Sequence, residues 1–227
     1  MSAPSLWKEE VGEKPTSLAY RFIRYGVWLF SPKWKLSGAE HLPEGPCVIA
    51  GNHSQMFGPI AMELYTPGKH WVWCAGEMMH REEVAAYAYR DFWSGKPKAV
   101  RWFYKLLSRL IVPLSVLIFN SAHTVAVYHD SRALTTFRDR FIDLGRMYYK
   151  QTGKALSFVP LYVAPALGTL YFGEPILYDP AAPGESERDR ISNALMDAVT
   201  AIAVALPEHT VVPYPNIPKK DYPKNRV

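Results

Sequence analysis

Several kinds of chemistry are short of material in this chain. Of 227 residues only two are cysteines, Cys47 and Cys74, each inside an apolar run. That suits buried reduced thiols better than a disulfide framework, so a cytosolic setting is the expectation. The seven histidines and two cysteines do not fall at zinc-ligand spacings. A Gly-rich phosphate loop, a G-x-S-x-G nucleophile elbow and any nucleic-acid module are all missing. The first ten residues lack the basic-then-apolar order of a secretory leader. Neither of the most apolar stretches, 17–36 and 99–119, is long and uncharged enough to read as a membrane span.

What is present points to one substantial core. The length fits a single α/β domain, and an apolar fraction of 48% excludes general disorder. An aromatic content of 14% implies that some rings serve a surface. The formal charge of +5 tolerates anionic partners without naming one.

The rest of the chain is arranged around one stretch. Gly45-Pro46 introduces Cys47-Val48-Ile49-Ala50-Gly51, a short apolar run that reads as a buried strand. Asn52-His53 follow at once, and Gly58-Pro59 open Ile60 to Tyr65, with Pro59 suited to the first turn of a helix. A histidine is thus offered at a strand-to-helix junction, where ligands approach α/β sheets. Taken alone, such a histidine is more often a hydrogen-bonded structural residue. Ser54 is too near in sequence to be assumed its nucleophile.

Lys35-Leu36-Ser37-Gly38-Ala39-Glu40-His41-Leu42-Pro43-Glu44-Gly45-Pro46, leading into Val48 to His53, resembles the approach to the first motif, Asn-His-x4-Asp, of the glycerol-phosphate and lysophospholipid acyltransferase family. The resemblance implies that His53 is a general base, deprotonating a glycerolipid hydroxyl as it attacks an acyl thioester. It also implies that Asn52 and Arg132 bind substrate. One departure is immediate: Gly58 occupies the aspartate position. A carboxylate on the second imidazole nitrogen fixes the tautomer and stabilises the imidazolium, and its loss from a comparable dyad costs about four orders of magnitude in rate. Glu63, Glu77 and Asp130 are the candidates to replace it.

Asn120 to Arg132 resembles the segment of the second motif, where a basic residue meets the acceptor phosphate; Arg132 is the nearest such residue, and Arg138 reads as a solvated helix face. His129 and Asp130, adjacent at a strand end, point to opposite sides. The family's next strand and Phe-Pro-Glu-Gly loop have no counterpart, and Phe172-Gly173-Glu174-Pro175 has the wrong order. Instead Leu134, Phe137, Phe141, Leu144 and Tyr148 predict one amphipathic helix from about Ser131 to Lys150, ended by Gly153. Leu156 to Val163 resembles the fourth motif, and Leu167 to Phe172 is expected to pair with it.

Two stretches read as lipid-facing or core helices. Leu18, Phe22, Tyr25, Trp28 and Leu29 recur at helical spacing opposite Arg21 and Arg24, and 99–119 joins a cationic aromatic half to an apolar half broken at Pro113. Near the end, Ser186-Glu187-Arg188-Asp189 predicts a capping-box start for a helix with the face Ile191, Leu195, Val199, Ile202 and Leu206.

The expected fold is therefore α/β, a single domain with a mixed sheet flanked by helices, glycerolipid acyltransferase-like. It comprises an N-terminal segment 1–33 with an amphipathic helix, the α/β domain 34–206 and a Pro/Lys-rich tail 207–227. The expected function is acyl transfer at the inner face of a membrane, from acyl-CoA or acyl-carrier protein to a lysophospholipid or glycerol-phosphate-type hydroxyl. No resident cofactor, metal or nucleic acid is expected. Two rivals stand beside it: a catalytically silent lipid-binding relative, and a hydrolase that uses His53 with a water or a serine.

Overall fold

A computed structural model describes residues 18–68, 70–94, 97–121, 124–127, 139–213 and 217–226. The regular elements, in chain order, are α1 (Leu18–Phe30), β1 (Lys35–Ser37), β2 (Cys47–Gly51), α2 (Phe57–Tyr65), β3 (Val72–Ala75), α3 (Val84–Ala88), α4 (Arg101–Leu110), α5 (Val112–Ser121), β4 (Thr124–Val127), α6 (Asp143–Thr152), β5 (Ser157–Ala164), β6 (Thr169–Phe172), β7 (Ile176–Leu177) and α7 (Gly184–Ala205). The fold is α/β, with a mixed, open sheet flanked by helices. The described residues group into two compact units, one within 1–31 and 66–133, the other within 32–65 and 134–227.

The second unit carries the larger sheet, in the order β1-β6-β5-β2, with β7 also on β5. β2 runs parallel to β5 from Cys47 opposite Ser157 to Gly51 opposite Leu161, and β6 returns antiparallel along β5 after a tight turn at Pro165–Leu167. β5 lies between neighbours and is buried on both faces, which is why its sequence is a nearly unbroken apolar run rather than an alternation. The two-residue period still sorts its side chains. Val159, Leu161 and Val163 join Leu170, Phe172 and Ala61 of α2 in one cluster. Phe158 joins Ile142, Tyr178 and the α7 residues Ile191 and Leu195 in another. Each face of the sheet thus has its own helix cover.

Two local expectations are corrected. The amphipathic helix foreseen from Ser131 is a 3-10 turn, Asp139–Ile142, followed by α6; residues 131–138 lie outside the described set. The tighter turn brings Ile142 into the core with Phe158 and Ile191. Gly153 does end α6, in a left-handed conformation with φ 70°, its N–H donating to the Tyr149 carbonyl at 2.8 Å. The capping box at Ser186 does not form, because α7 starts earlier, at Gly184 after Pro183. Glu187 instead accepts the Asp179 N–H at 2.7 Å and a two-point bond from Arg190 at 2.7 and 2.6 Å, tying the helix start to the chain after β7.

In the first unit β3 and β4 pair in parallel, from Val72 opposite Thr124 to Ala75 opposite Val127. α4 and α5 are separated by a bend of 40°, with Pro113 in the first turn of α5, where its missing N–H costs nothing. Among the described residues no single helix is long and apolar enough to cross a membrane; the bent pair passes that test only jointly, on length and composition. Cys47 and Cys74 are free thiols. Burial, reinforced by the charge of Glu77, pushes Cys74 up to about 12.

Candidate active site

β2 ends at Gly51, and the next residues turn sharply into α2. Ser54 and Gln55 have φ values of 47° and 54°, left-handed backbone that costs a side-chain-bearing residue roughly 1–2 kcal/mol each. Side-chain bonds hold them there. The Asn52 carboxamide accepts the Val163 N–H at 2.6 Å and donates to the Val163 carbonyl at 2.9 Å. Its other amide proton goes to Ser54 Oγ at 2.8 Å, and Ser54, only 1% exposed, donates in turn to the same Val163 carbonyl at 3.3 Å. Asn52 thereby acts as one more peptide unit, continuing the β2–β5 ladder beyond its last main-chain pair.

The resemblance implied that Asn52 binds substrate, whereas both of its amide protons are committed within the protein and their effect is to fix the turn. Asn52→Ala would strand the Val163 N–H and release Ser54. The expected loss is about 1–3 kcal/mol of stability, read from the midpoint of urea unfolding.

His53 sits between these anchors. It is exposed, yet the protein around its ring withdraws enough water to hold its pKa below the ordinary histidine value, while a hydrogen bond with the Gln55 backbone works the other way. The imidazole is therefore neutral at physiological pH, as a general base must be.

Position 58 is more than a missing acid. Gly58 is buried in the first turn of α2, and a Cβ there would meet the His53 carbonyl oxygen, with that carbonyl carbon at 3.1 Å and the Asn52 oxygen at 3.5 Å. The backbone of the turn occupies the space a side chain would need. Of the substitutes foreseen for the aspartate, Glu63 lies half-buried on α2, within the same unit as His53. Glu77 belongs to the other unit and pairs with Arg90 at 3.9 Å. Asp130 lies outside the described residues, as do His129, Arg132 and Arg138.

Sequence reasoning missed three participants. Gln55 and Ser54 carry the strained turn, and Val163 supplies the main chain on which Asn52 closes. A fourth contact comes from the tail, where Tyr222 accepts a bond from Gln55 Nε2 at 3.1 Å. Among the described residues no group of three or more His, Cys, Asp or Glu side chains is placed to hold a metal ion. Compared with known proteins, the chain matches no family model, no curated protein and no solved structure.

Proposed function

We propose that this protein transfers an acyl group from a thioester of coenzyme A or acyl-carrier protein to the hydroxyl of a lysophospholipid or glycerol-phosphate-type acceptor, with His53 as general base. The observation that carries the reading is an accessible neutral imidazole, set at a strand exit by a strained and heavily braced turn. Backbone strain of this kind is retained where a group must be held in one place. The ring takes the acceptor's hydroxyl proton while the oxygen attacks the thioester carbonyl. The C–O bond forms, the C–S bond breaks, and the departing thiolate recovers the proton from the imidazolium. Asn52 is a positioning residue in this scheme, and Arg132 is assigned to the acceptor phosphate by the family resemblance alone.

The test is turnover of labelled acyl-CoA with lysophosphatidic acid, run with and without acceptor. Acylated product supports the reading, free fatty acid without acceptor replaces it with hydrolysis, and no turnover leaves a silent lipid-binding relative. Gly58 favours that last alternative, because the imidazolium formed in the transition state has no carboxylate from position 58.

The lowered pKa sets a pH signature. Activity should hold as pH falls to the ordinary histidine value of about 6.5 and be lost below it, as the ring protonates. Stability follows the same direction. The unfolded chain takes up the proton first, so the contribution of His53 is complete above the ordinary value and disappears as pH falls through the folded one. An acid limb at or above the ordinary value would remove the depressed base.

The same reading extends to an anionic membrane surface. Phe22 and Phe30 of α1 are 75% and 88% exposed, and Trp102 of α4 is 68% exposed. α1 carries Arg21 and Arg24, α4 carries Arg101, Lys105 and Arg109, and neither helix contains an acid. Rings beside cations are the composition of an interfacial helix. Flotation with anionic vesicles is expected at low salt, weakened by added salt and by Trp102→Ala; a protein that stays at the bottom of the low-salt gradient would end this part of the reading.

A further inference from the structure

The C-terminal tail, which composition marks only as extended, is tied down at both ends of its reach. Thr210 bridges Lys224 in antiparallel fashion, Val211 N–H donates to the Pro223 carbonyl at 2.9 Å, and Asn225 N–H donates to the His209 carbonyl at 3.1 Å. Asn225 is the fastening. Its side-chain oxygen accepts the His209 N–H at 2.8 Å, and its amide donates to the Ala203 carbonyl at 2.7 Å, shared with those of Leu206 and Pro207 at 3.3 Å. These carbonyls lie in and just after the last turn of α7, where the helix leaves acceptors to be satisfied from outside.

From this anchored hairpin two side-chain arms reach the neighbourhood of His53. In the first, the Tyr222 hydroxyl accepts from Gln55 Nε2 at 3.1 Å, gripping one of the two left-handed residues of the turn. In the second, His209 is buried with Nδ1 at 2.7 Å from the Pro207 carbonyl, which can only accept, so Nδ1 carries the proton. Nε2 therefore accepts from the Tyr162 hydroxyl at 2.8 Å. Tyr162 precedes Val163, whose main chain holds Asn52 and Ser54. One arm grips the turn and the other grips the strand beside it.

We propose that the segment 217–226 is a strap that positions the His53 turn, with Tyr222 as a positioning residue acting through Gln55. The proposal rests on the catalytic reading of His53 for its purpose, but its physical content can be measured without turnover. Tyr222→Phe deletes only the hydroxyl. In the full-length protein at one alkaline pH, the ring 1H–13C signals of His53 should shift in this variant while the remaining histidine signals stay in place. If the protein turns over, kcat should fall about tenfold to a hundredfold with KM retained, the pattern of a displaced reacting group. Gln55→Ala should move the same ring signals, and the double variant should add nothing further, because both changes break one bond. Gln55→Ala alone decides the matter if Tyr222→Phe fails to fold. Unchanged His53 signals in a folded variant would overturn the strap, whereas shifted signals in a protein without turnover would uphold the strap and sink only the proposed catalysis.

Discussion

Gly58→Asp is expected to unfold the His53 turn rather than restore a catalytic pair. The first atom of any side chain at 58 would collide with the His53 carbonyl oxygen, with the carbonyl carbon 3.1 Å away and the Asn52 oxygen at 3.5 Å. All of these are main-chain atoms, so nothing nearby can swing aside. The carboxylate would add a buried negative charge among carbonyl oxygens, which costs more again. A loss of about 3–5 kcal/mol is expected in equilibrium urea unfolding, with Gly58→Ala producing most of it through the Cβ alone. A folded Gly58→Asp protein with faster turnover would show that the turn can open to admit the acid, and the steric account of this position would be wrong.

The second large effect belongs to His53 itself. Removing a general base costs typically about 10²–10⁴-fold in rate, so His53→Ala should bring acyl transfer to the level of a protein-free control. The substitution removes the ring and its bond with the Gln55 backbone but leaves the Asn52, Ser54 and Val163 bonds intact, so the unfolding midpoint should fall by no more than one hydrogen bond is worth, about 1 kcal/mol. That separation makes the result readable: a large fall in rate with so small a fall in stability is chemistry. Equal slow product in parent and variant would mean that the imidazole takes no part.

Much of the frame was legible because it rests on short-range pattern. The apolar run after Gly45-Pro46 is β2, Pro59 falls in the first turn of α2, and Gly153 ends α6. Of the candidate site, only the position of His53 at the strand-to-helix junction was legible. The left-handed turn falls on Ser54 and Gln55, neither of which is the glycine that usually advertises such backbone. Asn52 follows a strand and precedes a candidate base, so it invites a substrate role; its partner Val163 is far off in sequence and no local signal points to it. The helix start at Gly184 was missed because Ser186 and Asp189 have capping spacing, while the bond from the Asp179 N–H to Glu187, which helps fix the helix start, has no local sequence signal. The strap was hidden for a similar reason: Asn225 finds its carbonyls across a loop, at the end of a helix finished some twenty residues earlier.

The Asn52–Val163 clamp joins residues 111 positions apart. On the ribosome, the strand that leads into His53 emerges long before β5, the partner it needs, has been made. Parallel pairing over such a span closes a large loop and is slow, so the left-handed kink has nothing to hold it until the chain has grown past Val163. The turn that holds His53 is thus among the last parts of its unit to set, and a nascent chain stalled before β5 would display that histidine with none of its bracing bonds.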